Sequence, residues 1–128
     1  MAKKPTVLVI DDEKNILISL SRMLDLEGYN PVVAGSAHVA RQKLARQQID
    51  ALLLDVRMPE TDGLTFLEEL RKDRSDLPVI MMSGHSGLDV AIQAIRTGAH
   101  DFIEKPVSTD RLLVTLNNAL SFGQLRRS

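Results

Sequence analysis

Val7-Leu8-Val9-Ile10-Asp11-Asp12-Glu13 sets four consecutive aliphatic residues directly before three carboxylates. An apolar run this short, without polar alternation, suits a strand buried on both faces, as in a parallel sheet. Three more runs of the same kind follow: Pro31-Val32-Val33-Ala34, Ala51-Leu52-Leu53-Leu54 and Val79-Ile80-Met81-Met82. His100-Asp101-Phe102-Ile103 is a weaker fifth candidate.

Between these runs the apolar spacing changes to a helical period. Leu17, Leu20 and Leu24 share one face of a helix over about residues 13–27, with Gly28 as its stop. Ala40 and Leu44 mark a polar helix around residues 37–47, and Leu64, Leu67 and Leu70 mark another after Gly63. Leu88, Ala91, Ile92 and Ile95 form an i, i+3, i+4, i+7 stripe ended by Gly98, and Leu112, Leu113, Leu116, Ala119 and Leu120 form the last helix. Ser36 and Ser108 are the expected N-caps.

Five βα units result. Parallel strands need right-handed crossovers, so helices must cover both faces of the sheet, which predicts a doubly wound α/β sandwich. The expected boundaries are a tail over residues 1–5, one domain over 6–122, and the start of a linker over 123–128.

The whole chain is 128 residues, the size of one domain. Its 44% hydrophobic and 26% charged residues exclude wholesale disorder. With 16 Lys+Arg against 17 Asp+Glu, the net charge of −1 argues against a dedicated binder of nucleic acid or acidic membranes. The absence of cysteine removes disulfides, thiolate zinc sites, iron–sulfur clusters and cysteine nucleophiles, and fits the cytoplasm. Neither a secretory signal nor a membrane span is expected from the short apolar runs.

In an open α/β sheet, functional groups gather at the carboxyl ends of the strands. Asp11 and Asp12 follow the first strand, Asp55 the third, Ser83 ends the fourth, and Lys105 follows the fifth. Clustered carboxylates repel unless a cation sits among them, and an all-oxygen donor set suits a hard ion such as Mg²⁺. Lys105 adds a point cation for a phosphoryl oxygen, and Ser83 a hydroxyl. Together these are the parts of a phosphoryl-transfer site, with a carboxylate as the attacking group.

The chain resembles the receiver domain of two-component response regulators over nearly its whole length, from Val7 to about Leu120. The matching pieces are Val9-Ile10-Asp11-Asp12-Glu13, the specific D-x-x-M-P-x-x-D-G of residues 55–63, Ile80-Met81-Met82-Ser83-Gly84, and Gly98-Ala99-His100-Asp101-Phe102-Ile103-Glu104-Lys105-Pro106. The resemblance implies a flavodoxin-like (βα)5 fold with strand order 2-1-3-4-5; that order comes with the family and is not read from the residues. It implies Asp55 as phosphoacceptor for a phosphoryl group from a sensor histidine kinase. It further implies Mg²⁺ held by Asp12, Asp55 and the Arg57 backbone carbonyl, with Asp11 acting largely through water. Ser83 and Lys105 would contact the phosphoryl oxygens, Phe102 would be the switch residue where the family often carries Tyr, and Lys105–Pro106 would be cis. Arg57 and His85 stand where the family tunes dephosphorylation. The last two pieces resemble receivers of nitrogen-regulatory transcription activators. That likeness implies an ATPase and DNA-binding output downstream in a parent chain, and a phosphorylation-dependent homodimer through the fourth helix, fifth strand and fifth helix. Direct nucleic-acid or membrane binding by this domain is not implied.

Three other readings compete. A phosphatase of the haloacid-dehalogenase type would place a second Asp two residues after the nucleophile, where Arg57 stands. A flavin-binding module would need a phosphate loop rich in Ser, Thr and Gly after the first strand, where Asp11-Asp12-Glu13 would repel the phosphate. A degenerate receiver used only for protein contact would lack part of the set Asp11, Asp12, Asp55, Ser83 and Lys105. No G-x-x-x-x-G-K-[ST] occurs, which excludes a P-loop.

Overall fold

The computed structural model describes residues 4–58, 60–84 and 87–127, with side chains placed to residue 121. Strands and helices alternate as β1 (Thr6–Ile10), α1 (Lys14–Leu26), β2 (Asn30–Ala34), α2 (Ala37–Arg46), β3 (Ala51–Asp55), α3 (Gly63–Asp73), β4 (Val79–Ser83), α4 (Leu88–Thr97), β5 (Asp101–Glu104) and α5 (Thr109–Arg127). The strands form one sheet in the order β2-β1-β3-β4-β5, every pairing parallel. This is the expected doubly wound sandwich. The fifth strand starts at Asp101, one residue later than the sequence suggests, and α5 continues past residue 122 to Arg127.

All five residues of β1, β3 and β4 are buried, which explains their unbroken apolar runs. Alternate side chains feed two separate cores. Leu8, Ile10, Leu52, Leu54, Val79 and Met81 pack with Ala40, Leu44, Phe66, Leu67 and Ala94 from α2, α3 and α4. Val7, Val9, Leu53, Ile80, Met82 and Ile103 pack on the opposite face with Leu20 and Leu24 of α1 and Leu112, Leu116 and Ala119 of α5. Ser36 caps α2 by accepting from the Val39 N–H at 3.2 Å, and Ser108 accepts from the Arg111 N–H at 3.2 Å. Gly28 takes φ +90° after α1, a conformation that glycine adopts without steric cost.

The stripe read for the fourth helix does not face the core. The apolar stripe of α4 points away from the sheet: Leu88 is 76% exposed, Ile92 41% and Ile95 48%. The sheet-facing positions are Val90, partly buried, and Ala94, fully buried. Four residues apart, these two small side chains let α4 lie against the core while the larger ones remain outside.

Candidate functional site

The carboxyl ends of β1, β3 and β4 and the residue after β5 meet at one edge of the sheet. Parallel register sets their heights: Ile10 pairs with Leu54, Asp55 with Met82, and Ser83 with Glu104. Backbone bonds extend the ladder beyond the strands, from Asp11 N–H to the Ala34 carbonyl, from Val56 N–H to Met82, and from Lys105 N–H to Ser83. The predicted residues are therefore brought together. Asp12, Asp55, Arg57, Ser83 and Lys105 line an open cleft of about 430 Å³, with Glu13, Met58 and Gly84 completing its wall.

Asp11 is fully buried and Asp55 nearly so, whereas Asp12 is exposed. One oxygen of Asp11 accepts the Glu13 N–H at 3.0 Å, and the other accepts Lys105 Nζ at 2.7 Å. The same ammonium lies 3.3 Å from Asp55 Oδ2, and Asp55 Oδ1 accepts the Arg57 N–H at 3.3 Å. Lys105 thus bridges two carboxylates from different strands. The family resemblance assigns it to phosphoryl oxygens, so the structure adds a second set of partners.

The charges reflect this crowding. Burial, then the Asp11 charge, raises the Asp55 pKa above its ordinary value; Lys105 and the Arg57 N–H pull it down but do not prevail. For Lys105, burial alone would lower the pKa. The hydrogen bond it donates to Asp11 and the charges of Asp55 and Asp11 outweigh it, and the ammonium is held above the ordinary lysine value.

Asp11, Asp12 and Asp55 each offer a carboxylate oxygen, all within 4.8 Å of one another. Three converging anionic oxygens beside a single lysine leave the cluster short of positive charge, and an all-oxygen set of this size fits a hard divalent ion such as Mg²⁺. The residues present therefore fit the metal.

Phe102 lies outside this cleft. It pairs with Met81, two residues before Ser83, so ring and hydroxyl share a face of the sheet. The half-buried ring packs against the α2–α3–α4 core and lines a separate groove between α4 and β5. Lys105–Pro106 is cis, as expected. His85 falls outside the described residues. Sequence reasoning missed the role of Gly63 as a close-packing residue: its N–H donates to the Val56 carbonyl at 2.8 Å, and α3 begins directly against the backbone of Asp55.

A doubly wound sheet with an acidic triad and a lysine at its carboxyl edge is the architecture of a signalling phosphoacceptor domain. Residues 7–117 match the response regulator receiver domain, and the chain belongs to that family. It is 39% identical over 123 residues to a putative NtrX-like response regulator of Rickettsia bellii, covering 94% of this chain and 26% of that protein. Among solved structures it is similar to the beryllofluoride-activated NtrC4 receiver domain dimer, with TM-score 0.87 and 39% identity over 92% of this chain and 98% of that one. It is also similar to NtrX from Brucella abortus in complex with ADP, with TM-score 0.92 and 36% identity over 98% of this chain and 29% of that one. Its relatives within the family include regulators of the nitrogen-regulatory type, among them a nitrogen assimilation regulatory protein NtrX of Azorhizobium caulinodans. The chain spans about a quarter of the length of the curated relatives it matches. No helix among the described residues is long and apolar enough to cross a membrane.

Proposed function

We propose that Asp55 accepts a phosphoryl group from the phosphohistidine of a sensor histidine kinase, and that the resulting aspartyl phosphate switches the domain. The observation that carries this reading is the convergence of Asp11, Asp12 and Lys105 on the Asp55 carboxylate at one sheet edge. Asp55 Oδ attacks phosphorus, the phosphorus–nitrogen bond breaks, and the electron pair leaves with the imidazole. Asp12, Asp55 and the Arg57 carbonyl would hold Mg²⁺ directly, and Asp11 through water. When bound, the ion would neutralise charge on the transferring group.

Lys105 supplies further positive charge beside Asp11 and Asp55 and, once Asp55 carries the phosphoryl group, turns from carboxylate to phosphoryl oxygen. Ser83 donates its hydroxyl to a phosphoryl oxygen, and Phe102 moves toward the space this opens. An acyl phosphate is open to attack by water, so the domain hydrolyses its own signal, with Arg57 and His85 governing access. The switch acts in the cytoplasm and controls an ATPase and DNA-binding output carried by the same parent chain.

Small phosphodonors with Mg²⁺ are expected to add one phosphoryl mass to the wild-type chain and none to Asp55→Asn. Equal gain in both would overturn the assignment. The phosphorylated chain is further expected to dimerise through α4, β5 and α5, where Leu88, Ile92 and Ile95 stand exposed. A similar receiver, that of NtrC4, is a dimer in its beryllofluoride-activated form. Unchanged sedimentation after phosphodonor treatment would count against this dimer.

A further inference from the structure

Two strands stand at the margins of the sheet, β2 and β5, and the parallel register decides which of their backbone groups face outward. At β2, Asn30 N–H donates to the Pro5 carbonyl at 2.8 Å, and the Ala34 carbonyl accepts Asp11 N–H at 3.1 Å. The backbone groups of Asn30, Val32 and Ala34 therefore face β1, and Pro31, with no N–H to offer, takes an outward position. At β5, Asp101 pairs with Ile80, and Lys105 N–H donates to the Ser83 carbonyl at 2.8 Å. The backbone groups of Ile103 and Lys105 thus face β4, those of Phe102 and Glu104 face outward, and Pro106 beyond them again has no N–H.

The outward groups of Phe102 are covered from within the chain. Its N–H donates to Asp101 Oδ1 at 2.7 Å. Its carbonyl oxygen lies 3.5 Å from Arg111 Nη2, and that nitrogen is 3.8 Å from the same Asp101 oxygen. The Asp101 and Arg111 side chains, 40% and 58% exposed, stand at the surface. Glu104, the other outward residue, is exposed and shares with Phe102 and Arg111 the groove of about 520 Å³ between α4 and β5.

We propose that the outer edge of β5 is a strand-pairing surface for a second copy of this chain, held shut by Asp101 and Arg111. A two-fold axis at Ile103 sets two β5 strands antiparallel, with Phe102 of each opposite Glu104 of the other. Every backbone bond of that pairing engages Phe102 of one copy or the other, so covering this single residue closes the whole edge. Charge identifies the occupant. Arg111 stands at the Phe102 carbonyl, where Glu104 of the second copy would arrive, and exchanges Asp101 for that carboxylate. Length agrees, since β5 has four residues and is followed within two by Pro106, which suits a partner strand as short as itself. Sheet edges are ordinarily kept from pairing by proline or charge; β2 carries proline inside the strand, whereas β5 is closed by an ion pair that can let go. This contact differs from the phosphorylation-dependent dimer, which uses the exposed stripe of α4, and it does not depend on the role of Asp55.

Residue-resolved amide exchange and sedimentation equilibrium, both without Mg²⁺ or phosphodonor, test this. In the dilute wild type the Phe102 amide is expected to be protected about tenfold more than the other outward amide, that of Glu104. Asp101→Ala should remove this difference and tighten self-association about tenfold or more over the wild type. Adding Glu104→Arg to Asp101→Ala sets like charges together at Arg111 and should return self-association to the wild-type level. Equal protection of Phe102 and Glu104 in the wild type would overturn the closed edge, and this result needs no variant to fold. An Asp101→Ala chain that associates no more tightly than the wild type would overturn it as well. Tightening that survives Glu104→Arg would overturn β5 as the pairing surface.

Discussion

Gly63→Ala is expected to lower the thermal unfolding midpoint by about 10 °C or more, a loss of about 3 kcal/mol. A Cβ at this position would lie 2.2 Å from the Asp55 carbonyl oxygen and 2.9 Å from both Cα and O of Val56. All three are backbone atoms, so no rotamer change relieves the clash. Helix propensity points the other way, since alanine is favoured over glycine in a helix interior by about 1 kcal/mol. Overlap at 2.2 Å exceeds that gain, so the clash decides the sign. Relief requires α3 to slide away from β3 and opens the Gly63–Val56 hydrogen bond that closes the loop carrying Arg57. Phosphoryl transfer should therefore fall along with stability. Gly35→Ala is the control: nothing lies within 4 Å of its Cβ, and its midpoint should move by no more than about 2 °C. Equal midpoints for the two variants, followed by circular dichroism, would refute the packing argument.

The legibility of this molecule in its sequence follows from burial. β1, β3 and β4 are covered on both faces, so no polar residue interrupts them, and the polar residue that ends each run marks the sheet edge. Asp11, Asp12, Asp55 and Ser83 were readable for that reason, whereas Lys105 follows the weaker fifth run, whose strand is only partly buried. The face of α4 was not. Periodicity identifies a stripe but not what covers it, and Leu88, Ile92 and Ile95 follow the same spacing as core residues while facing outward. Contacts set by backbone approach left no trace in residue type. The Lys105–Asp11 bond spans 94 positions and requires β5 and β1 to be placed in the sheet first. The bonds from the Arg71 guanidinium to the carbonyls of Gly98 and Leu77 require three chain segments to end at one point.

Lys105→Met and Asp55→Asn are expected to shift stability in opposite directions, measured in chelator-treated buffer. Lys105 has a raised pKa: burial opposes its charge, but the Asp11 hydrogen bond and the Asp55 and Asp11 charges prevail. A raised lysine stabilises the fold fully below its unfolded pKa and loses that contribution only as pH rises through the higher folded value. At neutral pH the whole contribution is therefore present. Methionine keeps most of the aliphatic stem but removes the charge, leaving the buried Asp11 and Asp55 carboxylates facing each other. Breaking a buried pair from one side costs about 3 kcal/mol, or about 10 °C in a domain of this size. Asp55 also has a raised pKa, through burial first and the Asp11 charge second, and here the sign reverses. The fold disfavours its ionised form, so stability is lost above the folded pKa, regained as pH falls through it, and level below the ordinary value of 3.8. Asp55→Asn removes that cost and should raise the midpoint at pH 7 by about 3–5 °C. The deficit of Lys105→Met should shrink as the pH is lowered and Asp55 takes up its proton. Combined with Asp55→Asn, Lys105→Met should cost less than it does alone, because one of the two facing charges is gone. A deficit that is independent of pH, or unchanged in the double variant, would assign Lys105 a packing role rather than the electrostatic one.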